Sequence, residues 1–259
     1  MSRLTTVLIA GLVTGLAALP LTAEDAADIA DRSDARGESE YFRTFITLTI
    51  TAPSGDERVI SAQFYQKRRS DQREDRLFVF TYPPDVRDMA LLVHSQMESG
   101  DDSMWIYLPA VERVKRVDLG ASGGGTILGS DFTFRDLVSR DHSEYVFEFL
   151  PSDDDDRYVL DVRGRTPELQ RTFGYSREEH TIRKENLQLE RILFFDLAGD
   201  PLKELIVEDE HEADGYAFPS LVRMLNHQTG HVSRLTLEEM SFTDEIPDRF
   251  FTQRALRQR

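Results

Sequence analysis

Gly120-Ala121-Ser122-Gly123-Gly124 satisfies the G-x-S-x-G spacing of a serine nucleophile, and aspartates and histidines follow it in the order an α/β-hydrolase uses. That chemistry needs the serine turn to pass directly into a helix beneath a parallel sheet. Gly124, Gly125 and Thr126 are poor helix formers between segments that alternate like antiparallel strands, so Ser122 reads as loop. No lysine follows the glycines, which removes a phosphate-binding loop. The six histidines contain no H-E-x-x-H. His227 and His231 flank a turn and would meet across a hairpin, without a third ligand for zinc. Asp153 to Asp156 lack the central glycine and closing glutamate of a calcium loop and read as a solvated hairpin tip. Cysteine is absent, so there is no thiolate, disulfide or lipid-attachment cysteine. No cofactor or metal is expected.

The remaining chemistry is apolar. Phe78, Phe80, Trp105, Tyr107, Leu128, Phe132, Phe134 and Leu137 are the set that would line and cover a cavity for acyl chains. Any one of them alone is ordinary core. Moving a chain of about fifteen methylenes into water costs roughly 12 kcal/mol, so a carrier must enclose it. Gly120, Gly123, Gly124, Gly125 and Gly129 supply a hinge ahead of the apolar segment Phe132–Leu137, for which Ser130 or Asp131 would be the helix N-cap. Arg113, Lys115 and Arg116 form a basic patch in a chain of net charge −16; it is either a solvated strand face or a contact for a headgroup or an acidic partner. That overall charge repels nucleic acid and anionic lipid surfaces alike, which leaves no nucleic-acid partner and only peripheral, transient membrane contact.

These residues must be held by strands. Phe42 to Ile50 alternates with period two, as do Ile60 to Phe64, Tyr145 to Phe149 and Tyr158 to Val162. Leu77 to Phe80, Ala90 to Val93 and Met104 to Leu108 are apolar on both faces, which implies a sheet covered on both sides there. Val111 to Val117 reads as a more exposed strand, and Arg191 to Leu197 with Leu202 to Val207, then Leu221 to Asn226 with Val232 to Met240, make two hairpins at Gly199 and Gly230. The count is ten or eleven strands with short helices at Glu24 to Arg36, after Ser130, and at Asp248 to Arg257. Without βαβ alternation, a long antiparallel sheet must curl to manage its edges. Met1 to Ala23 reads as a signal peptide, with Arg3, an apolar run and a small residue at the cut. Residues 24–259 are expected to be one domain in the periplasm.

Trp105-Ile106-Tyr107-Leu108-Pro109-Ala110, the basic residues after it, and Gly129-Ser130-Asp131-Phe132-Thr133-Phe134 resemble the LolA-like outer-membrane lipoprotein-sorting proteins, in their broad periplasmic subgroup. The likeness continues through Asp136-Leu137, Arg191-Ile192, Asp196, Gly199, Met224-Leu225-Asn226 and Ile246-Pro247 with Phe251, and so covers most of the mature chain. Phe134 stands where that family usually has tyrosine, and Asp88-Met89 where glycine is common.

The resemblance implies a mainly β (α+β) fold, an incomplete β-barrel of curved antiparallel sheet plugged by short helices. It implies a carrier or acceptor of lipid or lipoprotein acyl chains with no chemistry of its own, serving an inner-membrane transporter of the RND superfamily. Trp105 and Tyr107 share one strand face, opposite Met104, Ile106 and Leu108; the expectation is that this pair lies on the concave face, closed over by Phe132 to Leu137 through a hinge at Gly123 to Gly125. Two other readings stand beside it: an envelope accessory protein that binds a protein partner with its pocket filled by side chains, and a serine hydrolase at Ser122.

Overall fold

The computed structural model describes residues 24–69, 73–96, 102–119 and 125–257. The expected leader at 1–23, Ser122 and the hinge glycines Gly120, Gly123 and Gly124 lie outside the described residues. Thirteen antiparallel strands form one curved sheet that does not close. They are β1 (Tyr41–Thr51), β2 (Glu57–Arg68), β3 (Arg73–Tyr82), β4 (Ala90–Gln96), β5 (Ser103–Leu108), β6 (Arg113–Arg116) and β7 (Tyr145–Leu150). The others are β8 (Arg157–Gly164), β9 (Arg177–Arg183), β10 (Leu189–Phe195), β11 (Pro201–Ala213), β12 (Tyr216–Asn226) and β13 (Val232–Ser241).

The order across the sheet is β6-β5-β4-β3-β2-β1-β13-β12-β11-β10-β9-β8-β7. Every neighbour is a sequence neighbour except at the centre, where β1 pairs with β13. This order has a topological consequence. β6 and β7 are consecutive in the chain yet sit at opposite edges, so the segment between them must cross from one wing of the sheet to the other. Residues 125–144 of that crossing lie against the inner face, and they plug the opening.

Strand alternation decides what each face meets. On the inner face, Ile60, Phe80, Leu91, Val93 and Met104 pack with the plug, and Phe78, Ile106 and Leu108 join them half-buried. The far wing builds a second inner cluster from Leu160, Val162, Ile182 and Phe194. Helix α1 (Ala26–Asp34) inserts Ala26, Ile29 and Ala30 there, and α2 (Pro167–Phe173) adds Phe173. Asp25 caps α1 through Ala27 N–H and Thr166 caps α2 through Leu169 N–H, each satisfying an end donor. The outer face of β3 to β6 is covered by the C-terminal segment, whose Ile246, Phe251 and Leu256 pack on Leu77, Val79, Ala90 and Leu92. Asp248 holds that segment to β2 and the residue after it by accepting from Lys67 at 2.7 Å and Arg69 at 3.0 Å.

Several expectations need correcting. The strand count exceeds the ten or eleven read from sequence, and one strand left unmarked is β9, Arg-Glu-Glu-His-Thr-Ile-Arg, which carries a charged inner face and shows little apolar alternation. Helix α2 was also unmarked. Val111 belongs to a short 3₁₀ turn, Pro109–Val111, ahead of β6. The C-terminal helix is two 3₁₀ turns, Asp248–Phe251 and Ala255–Arg257.

Candidate functional site: the plugged inner cavity

The plug is organised by polar groups that no apolar pattern announces. Leu128 (φ +51°) and Gly129 (φ +87°) form a tight turn with both central residues left-handed, which returns Phe132 to pair with Ile127. Thr133, rather than Ser130 or Asp131, caps the turn Phe134–Leu137, and Asp136 answers it in a capping box. Ser130 and Asp131 are buried instead. Asp131 accepts from Asn226 Nδ2 at 2.8 Å and from Ser233 Oγ at 3.0 Å, while its own N–H donates to Ser233 Oγ at 3.1 Å. Lys203, 3% exposed, donates to the Asp131 carbonyl at 2.7 Å and to the Asp136 carboxylate at 2.8 Å. Tyr175 donates to the other Asp136 oxygen at 3.0 Å. Burial, followed by the adjacent Asp136 charge, pushes the Tyr175 hydroxyl well up, so it stays a donor.

One end of the plug is therefore tied to β11, β12 and β13 by charge-assisted bonds. The sequence marked this stretch as an apolar flap joined to a hinge at Gly123 to Gly125, of which Gly123 and Gly124 lie outside the described residues; the flap itself is held by three strands through groups that cannot be left unpaired. The far end is tied too. Arg76 donates to the Leu137 carbonyl at 2.5 Å and Ser95 Oγ accepts from Ser139 N–H at 3.2 Å. Arg140 donates to both oxygens of Glu178 at 2.7 and 2.8 Å, and stacks on Phe173 and Tyr145. Burial alone would push the Glu178 carboxyl up. The Arg140 charge and the His180 hydrogen bond outweigh it and hold the group at about 2. Between these anchors Phe132 packs against both inner clusters, while Phe134 and Leu137 join the β3 to β5 side.

The structure brings Phe78, Phe80, Leu128, Phe132, Phe134 and Leu137 together on the inner face. It does not bring Trp105 and Tyr107 to them. These two lie on the outer face under the C-terminal segment, Trp105 edge-on to His94 at 5.1 Å. Both faces of β5 are covered, so hydrophobicity could not say which set points inward; the pairing of Leu92 with Trp105 and Leu91 with Ile106 decides it. The basic patch divides in the same way. Arg113 and Lys115 stand opposite Leu108 and Ile106 and project to the inner side, whereas Arg116 stands opposite Trp105. All three are exposed on an edge strand, where charge also discourages strand pairing with other chains.

Beneath the plug lies a cavity of about 340 Å³ between the two wings. One wall is apolar, from Phe147, Val162, Leu189 and Ile192; the other carries Gln66, Arg68, Glu74 and Arg76 of β2 and β3. Sequence reading named none of the four polar residues. Their signal was available as polar residues at inner positions of β2 and β3, in step with Ile60, Ala62 and Phe64. Among the described residues no group of three or more His, Cys, Asp or Glu is placed to hold a metal.

His142 stands at the cavity rim and joins the plug's exit to α1. It meets Asp31 through Nδ1 and Asp34 through Nε2, the latter at 3.1 Å. The Asp34 hydrogen bond is the leading cause that raises its pKa above the usual value. A raised histidine stabilises fully below about pH 6.5 and loses that contribution as pH climbs through the folded value. His142→Ala should cost about 0.5–1 kcal/mol at pH 5.5 and close to nothing at pH 8.5, read from denaturant unfolding at the two pH values. A cost that is equal at both would mean the ring acts by packing alone.

None of the curated proteins compared matches the chain. A crystal structure of a DUF1329 family protein from Desulfovibrio piger superposes with TM-score 0.82 at 26% identity, covering 89% of this chain and 97% of that one. A crystal structure described as an outer membrane lipoprotein-sorting protein domain, from Vibrio parahaemolyticus, gives 0.81 at 25%, covering 90% and 98%. A LolA superfamily protein from Nitrosomonas europaea gives 0.69 at 20%, covering 90% and 100%, and shows the shared fold. One family model, whose description is "Uncharacterized protein" with the qualifier "-like", matches residues 72–258. That match spans the plug, its anchors and every strand from β3 onward, and with it the chain belongs to the family this model describes, whose fold here is the LolA-like one that the three solved structures share.

Proposed function

We propose that this chain is a periplasmic carrier or acceptor that shelters acyl chains of a lipid or lipoprotein on the inner face of its open sheet. The observation that carries the reading is the plug itself. It is fixed at both ends by buried polar bonds, but between them the side chains of Phe132, Phe134 and Leu137 meet the sheet through apolar contacts. Apolar contact is non-directional, so a hydrocarbon chain can replace it without leaving a polar group unpaired. The lipoprotein-sorting description of the Vibrio structure and the LolA superfamily membership of the Nitrosomonas one support the same class. Among the described residues no helix is long and apolar enough to cross a membrane. An inner-membrane transporter of the RND superfamily is the donor or recipient this reading takes as partner, and crosslinking in the native envelope would test it.

A fluorophore with an acyl tail should bind saturably and be displaced by lipid. Phe132→Asp should weaken it by roughly tenfold, about 1.4 kcal/mol, by placing a carboxylate in the apolar contact. Trp105 emission should barely change on binding, because that residue lies on the outer face. A flat titration with folded protein would reject the carrier and favour the envelope accessory reading, in which side chains fill the space.

A further inference from the structure

The charged wall of the cavity is unexpected in a container for hydrocarbon, and it narrows the cargo. Each arginine there already has a carboxylate: Arg68 meets Glu38 at 2.5 Å, Arg76 meets Glu74, and Arg140 meets Glu178. Asp136 is likewise occupied by Lys203 and Tyr175. What remains is of one kind. Tyr145, 6% exposed and lining the cavity, has no hydrogen-bond partner for its hydroxyl among the described residues, and neither does Nε of Arg68 on the opposite wall. Both can donate. Burial pushes the Tyr145 hydroxyl up to about 12, so it carries its proton throughout the physiological range.

A ligand that completes this cavity must therefore bring an acceptor beside its hydrocarbon, and it must bring it without charge. A free carboxylate would add a negative charge near Glu38, Glu74 and Asp136 and would have to compete for an arginine already paired. An alkane end would leave both donors unpaired. We propose that the cavity receives the ester end of an acyl glyceride, the ester carbonyl accepting a hydrogen bond from Tyr145 Oη while the chain lies against Phe147, Val162, Leu189 and Ile192. This rests on the carrier reading and specifies its cargo: neutral ester-linked acyl chains, in preference to fatty-acid anions.

The test uses the full-length mature protein and three probes displacing an acyl-tailed fluorophore: 1-palmitoylglycerol, its ether counterpart 1-O-hexadecylglycerol, and palmitate. Wild type should hold the ester about fivefold more tightly than the ether, the range of one net hydrogen bond, and palmitate more weakly than the ester. Tyr145→Phe should bring ester and ether to equal affinity, leave the ether unchanged, and keep or raise Tm, because it removes a buried hydroxyl that has no partner. Equal binding of ester and ether by wild type overturns the proposal while the carrier reading survives. So does tighter binding of palmitate, or a Tyr145→Phe loss that is the same for all three probes. Binding of none of them by folded protein removes the carrier reading as well. Should Tyr145→Phe fail to fold, the wild-type ester-to-ether ratio decides alone.

Discussion

Arg140→Met should lower the unfolding free energy by about 3–5 kcal/mol at pH 7, among the largest effects available from one substitution outside the apolar core. The methionine keeps most of the stem that packs over Phe173 and Tyr145, so the loss isolates the charge. Glu178, 4% exposed, would be left with His180 as its side-chain hydrogen-bond partner among the described residues. The pH dependence has a definite sign. A carboxyl held at about 2 in the folded protein contributes stability above its unfolded value of about 4.5, and that contribution disappears as pH falls toward 2. The gap between wild type and Arg140→Met should therefore shrink between about pH 5 and pH 3. Arg140→Met with Glu178→Leu should recover much of the loss, since no buried charge is then unpaired. Denaturant unfolding of the three proteins at pH 7 and pH 3.5 measures this. A single-variant loss under about 1 kcal/mol would show that the pair is solvated and does not anchor the plug.

Lys203→Met attacks the other anchor. The ammonium lies over the rings of Tyr175 and Phe194 at 5.3 and 5.2 Å and bonds both the Asp131 carbonyl and the Asp136 carboxylate. Its removal leaves Asp136, at 12% side-chain exposure, as a nearly buried anion, for a cost of about 3 kcal/mol. The loss should be local before it is global. Amide hydrogen exchange across residues 126–137 should accelerate by 10²-fold or so while the amides of β1, β2 and β13 keep their protection at moderate denaturant. Exchange of a bound acyl fluorophore should quicken in parallel, because the plug's near end is released. Uniform acceleration over the whole sheet would assign Lys203 to the core instead of the plug.

Both anchors explain why the plug was legible only in part. Gly129 to Phe134 is recognisable as a motif, and its glycine marks a turn with left-handed residues. Nothing in the local pattern says that Asp131 points into the protein, since its partners Asn226 and Ser233 are 95 and 102 residues away. A buried aspartate and an exposed one look the same in sequence until their donors are found. The same limit applies to Arg140 and Glu178, which no local pattern distinguishes from surface charges. In β9 it concealed a whole strand, because Glu178 and His180 occupy inner positions that pattern reading reserves for apolar residues.

The sequence by itself determined the class of fold, because period-two alternation in Phe42 to Ile50, Tyr145 to Phe149 and Tyr158 to Val162 can bury only one face of an antiparallel sheet, and two-sided apolar runs require cover on both faces. It also determined that the surface is strongly acidic and that cysteine chemistry is absent. Only the tertiary structure decided which face of β5 is interior, because an apolar run on both faces carries no sign. The pairing of β1 with β13 places β6 and β7 at opposite edges and so turns the connection between them into a plug. Only in that arrangement do Tyr145, Arg68 and the wall opposite them share a cavity, since strands 77 residues apart meet across the sheet's curve, and curvature is a property of all thirteen strands together.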